Sequence, residues 1–405
     1  MDKESGTQSS DELDVVVVRS IEGIEAIRQT WERLQSDEPC PRVNADIDRY
    51  LANLAADSSD LEPYIMVVKE YGRPAALLIG LVEKSRLRCP IGRKTLFEPV
   101  LRQLAVVYGG VIGRITSEIC HVLVGELLKL LRTGQVDVVF FNHLETDSTL
   151  YHVARTMPGL FCRDYFPKAE QHWCMSIPDH KDRFWQACSH NRRRNFRRWT
   201  KKLEERYPGQ VRMVTFSKQE EMAEGLRVAA GISANTYQRA FGGGLAPDAK
   251  TRALFEAAAQ KGWLRIHILF VAEEPCAFWT ALKYKRTYFA EFTGYSPKWG
   301  DLHVGSILFL KVVEEICGDP AVNAFDFGFG EGQHKEGGDS RQLEEASVFI
   351  FAPRPFPVFV NLIRSSTLAT SMLAQRAIAG LGIRNLVQRY RRRRILHKHP
   401  QAECD

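Results

Sequence analysis

Residues 264–316 read "LRIHILFVAEEPCAFWTALKYKRTYFAEFTGYSPKWGDLHVGSILFLKVVEEI", three strand-like runs followed by a helix-like one. The runs are rich in β-branched and aromatic residues, and a Glu-Glu-Pro turn and a corner near Lys285 separate them. Strands are predicted at 264–272, 276–284 and 286–294, and a helix at 304–317. The apolar stripe of that helix is typical of one packed on a sheet. The stretch therefore predicts an antiparallel meander that leads through a loop into a helix.

The same order of elements is predicted in the N-terminal half of the chain. A β-branched run, a helix, a hairpin, a second helix and a buried strand are predicted at 13–19, 21–35, 63–87, 116–133 and 136–144. Residues 65–84 of this hairpin resemble 268–285, with Pro74 and Pro275 in corresponding positions. Further strands are predicted at 321–328 and 346–352. We infer an α/β (α+β) fold of two related domains in tandem, each a mixed, largely antiparallel sheet flanked by helices.

Length and composition agree with two soluble domains. The 405 residues are 44% hydrophobic and 26% charged, with a formal net charge of +6. No apolar run is long enough to suggest a membrane span, and the first dozen residues are polar, so a cytoplasmic protein is expected. The nine cysteines form no Cys-x-x-Cys pair, which disfavours a zinc module and a disulfide scaffold. The predicted units are a disordered tail (1–12), an N-terminal domain (13–165), a C-terminal domain (166–355) and a helical segment with a basic tail (356–405).

The loop 295–303 is a candidate anion site. A helix N-terminus offers unpaired N–H groups and the positive end of the helix dipole, so it can bind phosphate without a lysine. Gly300 allows close approach of the backbone, Asp301 can cap, and Gly305 and Ser306 leave the first turn unobstructed. The alternative is a loop that merely connects a strand to a packed helix.

A meander, a loop, a helix and a further strand in this order resemble the GNAT superfamily of acyltransferases. Within it, the chain is most similar to the acetyltransferase domains of cellulose and exopolysaccharide biosynthesis, relatives of the FemAB-type peptidyltransferases. Four features carry the resemblance: the helix "FWQACSHNRRRNFRRWTKKLEE" (184–205), the meander with its loop and helix, the strand "FDFGFGEGQHKE" (325–336) and the tandem layout. The superfamily's usual Arg/Gln-x-x-Gly-x-Gly/Ala loop is absent, and "DLHVGS" (301–306) stands in its place.

The resemblance implies that acyl-coenzyme A, in the acetyl form for this branch of the family, binds in the C-terminal domain with no metal. The strand before the loop would take the pantetheine arm, and the loop and helix entrance the pyrophosphate. The implied donor-binding residues are Phe292, Thr293, Gly294, Tyr295, Trp299, Gly300, Leu302, His303, Val304, Gly305 and Ser306.

Acyl transfer to an amine or hydroxyl needs a group that accepts a proton from the acceptor. Three candidates lie near the junction: Glu291 in the preceding strand, Asp326 in the following strand, and His303 at the helix entrance, where the dipole favours a neutral imidazole. Each has a structural alternative. Glu291 can be a solvent-facing strand residue, His303 a cap, and Asp326 a partner of Lys335 or Arg341.

Two basic segments suggest partners. On the helix 184–205, apolar positions form one face, so the cations crowd the other and can face the phosphates of a donor or substrate, or tRNA if the chemistry is FemAB-like. The candidate substrate residues are Arg194, Arg198, Asn235, Tyr237 and Lys335. The C-terminal "RNLVQRYRRRRILHKH" (384–399) follows an amphipathic segment and suits an anionic membrane surface. Both segments can instead be solvated.

The sequence therefore predicts an N- or O-acyltransferase that modifies a sugar, a polysaccharide precursor or a similar small acceptor. An aminoacyl-tRNA-dependent transferase, a non-catalytic GNAT scaffold in polysaccharide biosynthesis and a nucleic-acid-binding protein are the alternatives. The last is disfavoured because the chain has no helix-turn-helix or zinc motif and its net charge is modest. The sequence leaves the oligomeric state open.

Overall fold

Twelve strands form one continuous sheet through the molecule in this computed structural model, which describes residues 13–56, 61–92, 94–234, 236, 244–330 and 340–380. The strand order is β1-β2-β3-β6-β7-β14-β8-β13-β12-β11-β10-β9. The N-terminal strands are β1 (Leu13–Val18), β2 (Glu62–Glu70), β3 (Arg73–Arg86), β6 (Val100–Gly113) and β7 (Val138–Glu145), and β4 (Cys89–Ile91) and β5 (Lys94–Phe97) form a separate hairpin. The later strands are β8 (Ala169–Ser176), β9 (Val211–Phe216), β10 (Leu264–Val271), β11 (Glu274–Tyr284), β12 (Thr287–Tyr295), β13 (Ala324–Phe329) and β14 (Ser340–Phe351).

Helices cover both faces of the sheet. Those of the N-terminal half are α1 (Ile21–Ala26), α2 (Arg28–Ser36), α3 (Ile47–Ala56), α4 (Ser117–Thr133) and α5 (Thr149–Thr156). Those of the C-terminal half are α6 (Lys181–Ala187), α7 (His190–Arg206), α8 (Met222–Ala234), α9 (Ala249–Gln260), α10 (Val304–Ile316) and α11 (Pro355–Gly380). None of these described helices is long and apolar enough to cross a bilayer.

Each half has an apolar core on either face of its part of the sheet. In the N-terminal half, α4 and α5 pack on one face, and α2 and α3 on the other. In the C-terminal half, α7 and α10 pack on one face, and α8 and α9 on the other. In the described sheet the pairs β6–β7 and β12–β13 are parallel, while all other neighbours are antiparallel. The predicted mixed fold with two similar halves is confirmed.

The structure differs from the predicted elements in several places. The helix expected over 184–205 is interrupted at Cys188 and Ser189, so α6 ends before α7 begins. The helix expected over 21–35 is broken at Ile27, which has φ −101° and ψ 6° and ends α1 before α2 begins. The strand expected at 346–352 starts earlier, at Ser340, and lies between β7 and β8. It pairs with a strand from each half, so the two halves share one sheet. The predicted boundary between them near residue 165 stays a prediction.

Candidate functional site

A cavity of about 220 Å³ opens between the end of β12 and the start of α10. Strands β11 and β12 form one wall, and the loop and first turns of α10 form the other. The lining residues are Thr236, Trp279, Thr293, Gly294, Tyr295, Gly300, His303, Val304, Gly305, Ser306 and Phe309. The cavity thus lies at the junction that the sequence singled out.

The cavity exists because β12 leaves its neighbour β13. The two strands pair in parallel over three positions, ending at Phe289 and Asp326, whereas β12 continues to Tyr295. Close to this point β12 contains a bulge: Ala290 faces Ala281 and Phe292 faces Thr280, which leaves Glu291 as the extra residue. A bulge bends a strand and increases its twist. The diverging strands leave the gap into which the cavity opens.

The entrance of α10 is suited to an anion. The N-cap residue, His303, is in the left-handed region (φ 52°, ψ 36°), and its side chain makes no capping bond. Its ring stacks on Trp199, with the ring centroids 4.4 Å apart. The first turn of α10 also carries no acidic residue. Since the first N–H groups of a helix have no acceptor within it, this end presents donors and a positive dipole to the cavity.

Two glycines keep the cavity open. A Cβ atom at Gly305 would lie 3.1 Å from Cδ1 of Tyr295, and one at Gly294 would lie 2.7 Å from Cε1 of Phe278. Both glycines line the cavity. A bound group can therefore approach the backbone of β12 and α10 closely. A phosphate and the arm attached to it need this space, which a larger residue at either glycine position would fill.

The basic helix α7 lies beside this entrance. The Ser189 side chain caps it by accepting from the N–H of Arg192, and the guanidinium of Arg192 lies 5.7 Å from the ring centroid of Phe309. Lys202 Nζ donates to the carbonyl of Asp301 at 3.2 Å. The exposed arginines and lysines of α7 are Arg194, Arg197, Arg198, Lys201, Lys202 and Arg206. Two cations of α7, Arg192 and Lys202, therefore lie beside the cavity, and the role of Arg194 and Arg198 in substrate binding stays a prediction.

The structure gathers most of the implied donor-binding residues at the cavity. Eight of them line it: Thr293, Gly294, Tyr295, Gly300, His303, Val304, Gly305 and Ser306. Trp299 and Leu302 are buried in the core instead, and Phe292 is half-buried beside Phe255. The candidates Asn235, Tyr237 and Lys335 lie outside the described residues.

Sequence reasoning missed three residues that line the cavity, Thr236, Trp279 and Phe309. Phe309 follows Gly305 by four positions and so shares its helix face, a spacing that could have revealed it. Trp279 lies on β11, and its position depends on the pairing of that strand with β12.

Glu291 and Asp326 do not line this cavity. Glu291 accepts a hydrogen bond from Arg49 Nη2 of α3 at 2.9 Å, an ion pair between the two halves. The exposed fractions of these side chains are 20% and 14%. Among the three predicted bases, His303 is the one placed at the cavity wall, and the role of each as a base stays a prediction.

Asp326 belongs to a buried charged network between the halves. It pairs with the guanidinium of Arg42 and accepts from His172 Nε2 at 2.7 Å. The other ring nitrogen of His172 lies 2.8 Å from Glu345 Oε1, which also accepts from the hydroxyl of Tyr108 at 3.1 Å. The partner expected from the sequence for Asp326 was Lys335 or Arg341, whereas the structure shows Arg42 and His172.

Two cations balance two anions in this network. Burial lowers the pKa of His172, but its bonds to Asp326 and Glu345 outweigh that effect, so the pKa lies above its usual value. Burial raises the pKa of Asp326, but the bond from His172 and the charges of His172 and Arg42 outweigh it, so that pKa is lowered. Because both ring nitrogens of His172 face carboxylates, the ring is expected to carry both protons.

A second cavity, of about 300 Å³, adjoins the network in the N-terminal half. It lies where β6 leaves β7, the counterpart of the gap between β12 and β13. Arg42, Tyr108 and Glu345 of the network line it, together with His143. The His143 ring stacks on Phe329 of β13, with centroids 3.9 Å apart. The two halves thus meet at this cavity.

Residues 190–336 match the family model described as acetyltransferase (GNAT) domain. The GNAT match runs from the start of α7 past the end of β13, and it includes every residue that lines the first cavity. The resemblance to the GNAT superfamily is thereby confirmed for this segment. The assignment to the exopolysaccharide branch stays a prediction.

Solved structures agree with a tandem GNAT fold. The crystal structure of FemX has a TM-score of 0.57 and 10% sequence identity, over 82% of this chain and 98% of that one. A tandem GNAT protein from the clavulanic acid biosynthesis pathway has a TM-score of 0.50 and 11% identity, over 84% of this chain and 100% of that one. At these identities the likeness concerns the fold. No curated protein sequence matches the chain.

Proposed function

We propose that the protein is an acyltransferase that takes an acyl group from acyl-coenzyme A and transfers it to an amine or hydroxyl of a sugar, a polysaccharide precursor or a similar small acceptor. The observation that carries the proposal is the α10 entrance, which has no side-chain cap and no acidic residue in its first turn and opens into a cavity inside the GNAT match.

The residues present fit the donor. The first-turn N–H groups of α10, at Gly305 and Ser306, would hold the pyrophosphate, and the exposed cations of α7 would add charge around it. The diverging part of β12, from Thr293 to Tyr295, would hold the arm. When bound, acyl-coenzyme A supplies an activated thioester whose acyl group the acceptor takes.

The chain's own contribution is positioning. Trp279 and Phe309 line the inner side of the cavity and would exclude water from the bound arm. The bulge at Glu291 fixes the course of β12, and the ion pair of Glu291 with Arg49 ties that strand to the N-terminal half. Orientation of donor and acceptor is the main source of rate in such a transfer.

Calorimetry with acetyl-coenzyme A and longer acyl-coenzyme A tests the proposal. Gly305→Val would place a side chain against Tyr295 and fill the cavity, so we expect at least a tenfold loss of affinity. Gly231→Val is the matched control, since a Cβ atom at Gly231 on α8 meets nothing within 4 Å. Absence of binding by the unmodified protein to every acyl-coenzyme A would refute the donor assignment.

The exposed basic face of α7 favours a second candidate, an aminoacyl-tRNA-dependent transfer of the FemAB type. The same cations that suit a pyrophosphate also suit an RNA backbone. The two candidates separate in one experiment: the protein is purified at low salt, and its bound molecules are identified by mass spectrometry and by nuclease digestion. Retained coenzyme A supports the first candidate, and retained tRNA supports the second.

A further inference from the structure

The exposed face of α11 is apolar. Phe356, Phe359, Leu362 and Leu373 have exposed fractions of 50%, 53%, 49% and 65%. Their spacing places them along one side of the helix. Four large apolar side chains in a row on the outside of a helix are unusual for a face that only meets water.

The buried face of α11 packs Val360 into an apolar cluster and also carries two polar anchors. The amide of Asn361, 1% exposed, donates to the carbonyls of Phe161 and Arg163 at 3.0 and 2.8 Å. Arg364, 7% exposed, pairs with the buried Asp164 at 2.7 Å. These bonds fix the rotation of the helix about its axis. The apolar side chains are therefore held outward by specific contacts on the opposite face.

Neighbouring elements also expose large apolar side chains. Leu160 and Phe161, in the 3₁₀ segment that α11 contacts through Asn361, are 62% and 64% exposed. Leu96, on the hairpin of β4 and β5, is 64% exposed. The hairpin is attached to α11 by a bond from the N–H of Gly92 to Ser371 Oγ at 3.2 Å. We call α11, residues 160–161 and this hairpin the docking surface.

Charge identifies the occupant. The sequence of α11, residues 355–380, contains no aspartate or glutamate, and the following segment 384–399 contains six arginines, one lysine and no acid. Each basic residue near an anionic leaflet contributes about 1 kcal/mol of attraction. The positive charge of the sequence 384–399 is complementary to anionic lipid and would repel a second copy of itself, so the charge favours anionic lipid over self-association.

We propose that the docking surface binds an anionic lipid bilayer, with α11 lying in the plane of the interface. Its phenylalanine and leucine side chains enter the boundary between headgroups and acyl chains. The basic sequence 384–399, which lies outside the described residues, adds electrostatic attraction to the anionic leaflet.

Flotation of the full chain with vesicles tests the proposal. We expect binding to vesicles of phosphatidylcholine with 30% phosphatidylglycerol (about a third anionic lipid, enough for a negative surface) and little binding to phosphatidylcholine alone. The variant Phe356→Ser/Phe359→Ser/Leu373→Ser should bind at least tenfold more weakly. Replacement of Arg391, Arg392, Arg393 and Arg394 by Gln should weaken binding and abolish its salt dependence.

Ile21→Ser is the matched control, because Ile21 on α1 is 55% exposed but lies outside the docking surface, and its binding should be unchanged. Circular dichroism and thermal unfolding verify that each variant is folded. The proposal is overturned if the unmodified protein does not float with anionic vesicles or if the triple variant floats equally well. It is also overturned if the triple variant only converts a dimer into a monomer, as measured by light scattering.

Discussion

The two halves of the protein contain the same order of strands and helix, but different residues surround the cavity in each. In the N-terminal half the order is β2, β3, β6, α4 and β7, and in the C-terminal half it is β10, β11, β12, α10 and β13. Each unit has a parallel strand pair that diverges into a cavity. What differs is the chemistry around the cavity, so the unit by itself does not determine what binds there.

The helix entrances differ most. In α4 the Thr116 side chain accepts from the N–H of Ile119 at 3.3 Å, and Glu118 adds a negative charge to the first turn. A capped, acidic entrance disfavours a second anion. In α10 neither feature is present. We therefore expect an anion at the entrance of α10 and not at that of α4.

The strand bulges differ as well. On β12 one residue, Glu291, is extra, whereas on β6 the four residues 107–110 lie opposite Ile79 alone. The larger bulge carries Tyr108 toward the network of Arg42, His172, Asp326 and Glu345. The N-terminal cavity is thus bordered by a charge-balanced cluster, and the C-terminal cavity by backbone donors.

Breaking the network should have the largest effect. Arg42→Met removes one of two cations from buried carboxylates, since the side chain of Asp326 is 4% exposed and that of Glu345 is 3% exposed. We expect the free energy of unfolding to fall by about 3 kcal/mol. Urea denaturation measures it.

Arg102→Met is the control for that experiment, because Arg102 pairs with Glu62 at the surface, where the side chains are 46% and 64% exposed. Loss of this surface ion pair should lower the free energy of unfolding by less than about 1 kcal/mol. If both variants lose the same free energy of unfolding, the buried network stabilises the protein no more than a surface ion pair does.

Making the α10 entrance resemble that of α4 should have the next largest effect. Ser306→Glu places a negative charge in the first turn of α10, and we expect at least a tenfold loss of acyl-coenzyme A affinity, about 1.4 kcal/mol. Ser306→Gln has nearly the same size without the charge and should lose much less. Similar losses in calorimetry would mean that size, and not charge, governs the site.

The smallest expected effect is a dependence of the free energy of unfolding on pH. His172 has a raised pKa, so the stability that its proton provides is complete below about 6.5 and is lost as pH rises through the folded-state pKa. Asp326 has a lowered pKa, so its contribution is present above about 3.8 and is lost as pH falls through its folded-state pKa. The network is therefore most stabilising between these values.

In the range above pH 6.5 the unfolding free energy should fall by less than about 1.4 kcal/mol per pH unit, because one proton is involved. The variant His172→Gln should lack this slope. Parallel curves for the variant and the unmodified protein would contradict the assignment of the titration to His172.

The C-terminal meander, the helix that follows it and the position of the cavity between them were predictable because they depend on local patterns. Alternation and helical spacing locate β10, β11, β12 and α10, and the small residues Gly305 and Ser306 indicate an open helix entrance. These signals lie within some fifty consecutive residues. A single sequence contains such information directly.

The junction between the halves was not predictable in this way. Arg42 and Asp326 are separated by 284 positions, and Arg49 and Glu291 by 242. Each is a charged residue whose partner lies in the other half of the chain, and the two halves are joined in one sheet by β14, which pairs with β7 and with β8. The aromatic neighbours of Asp326 indicated that its carboxylate needs a partner, and it has two, Arg42 and His172. These partners belong to other parts of the chain, so the local sequence did not identify them.

The central position of β14 has a consequence for biosynthesis. This strand is made after both of its neighbours, yet it lies between β7 and β8 in the middle of the sheet. Until residue 351 emerges, both neighbours remain open edges, which are prone to pair with other chains. Some two hundred residues are made between β7 and the end of β14, and β7 lacks its second neighbour during this time.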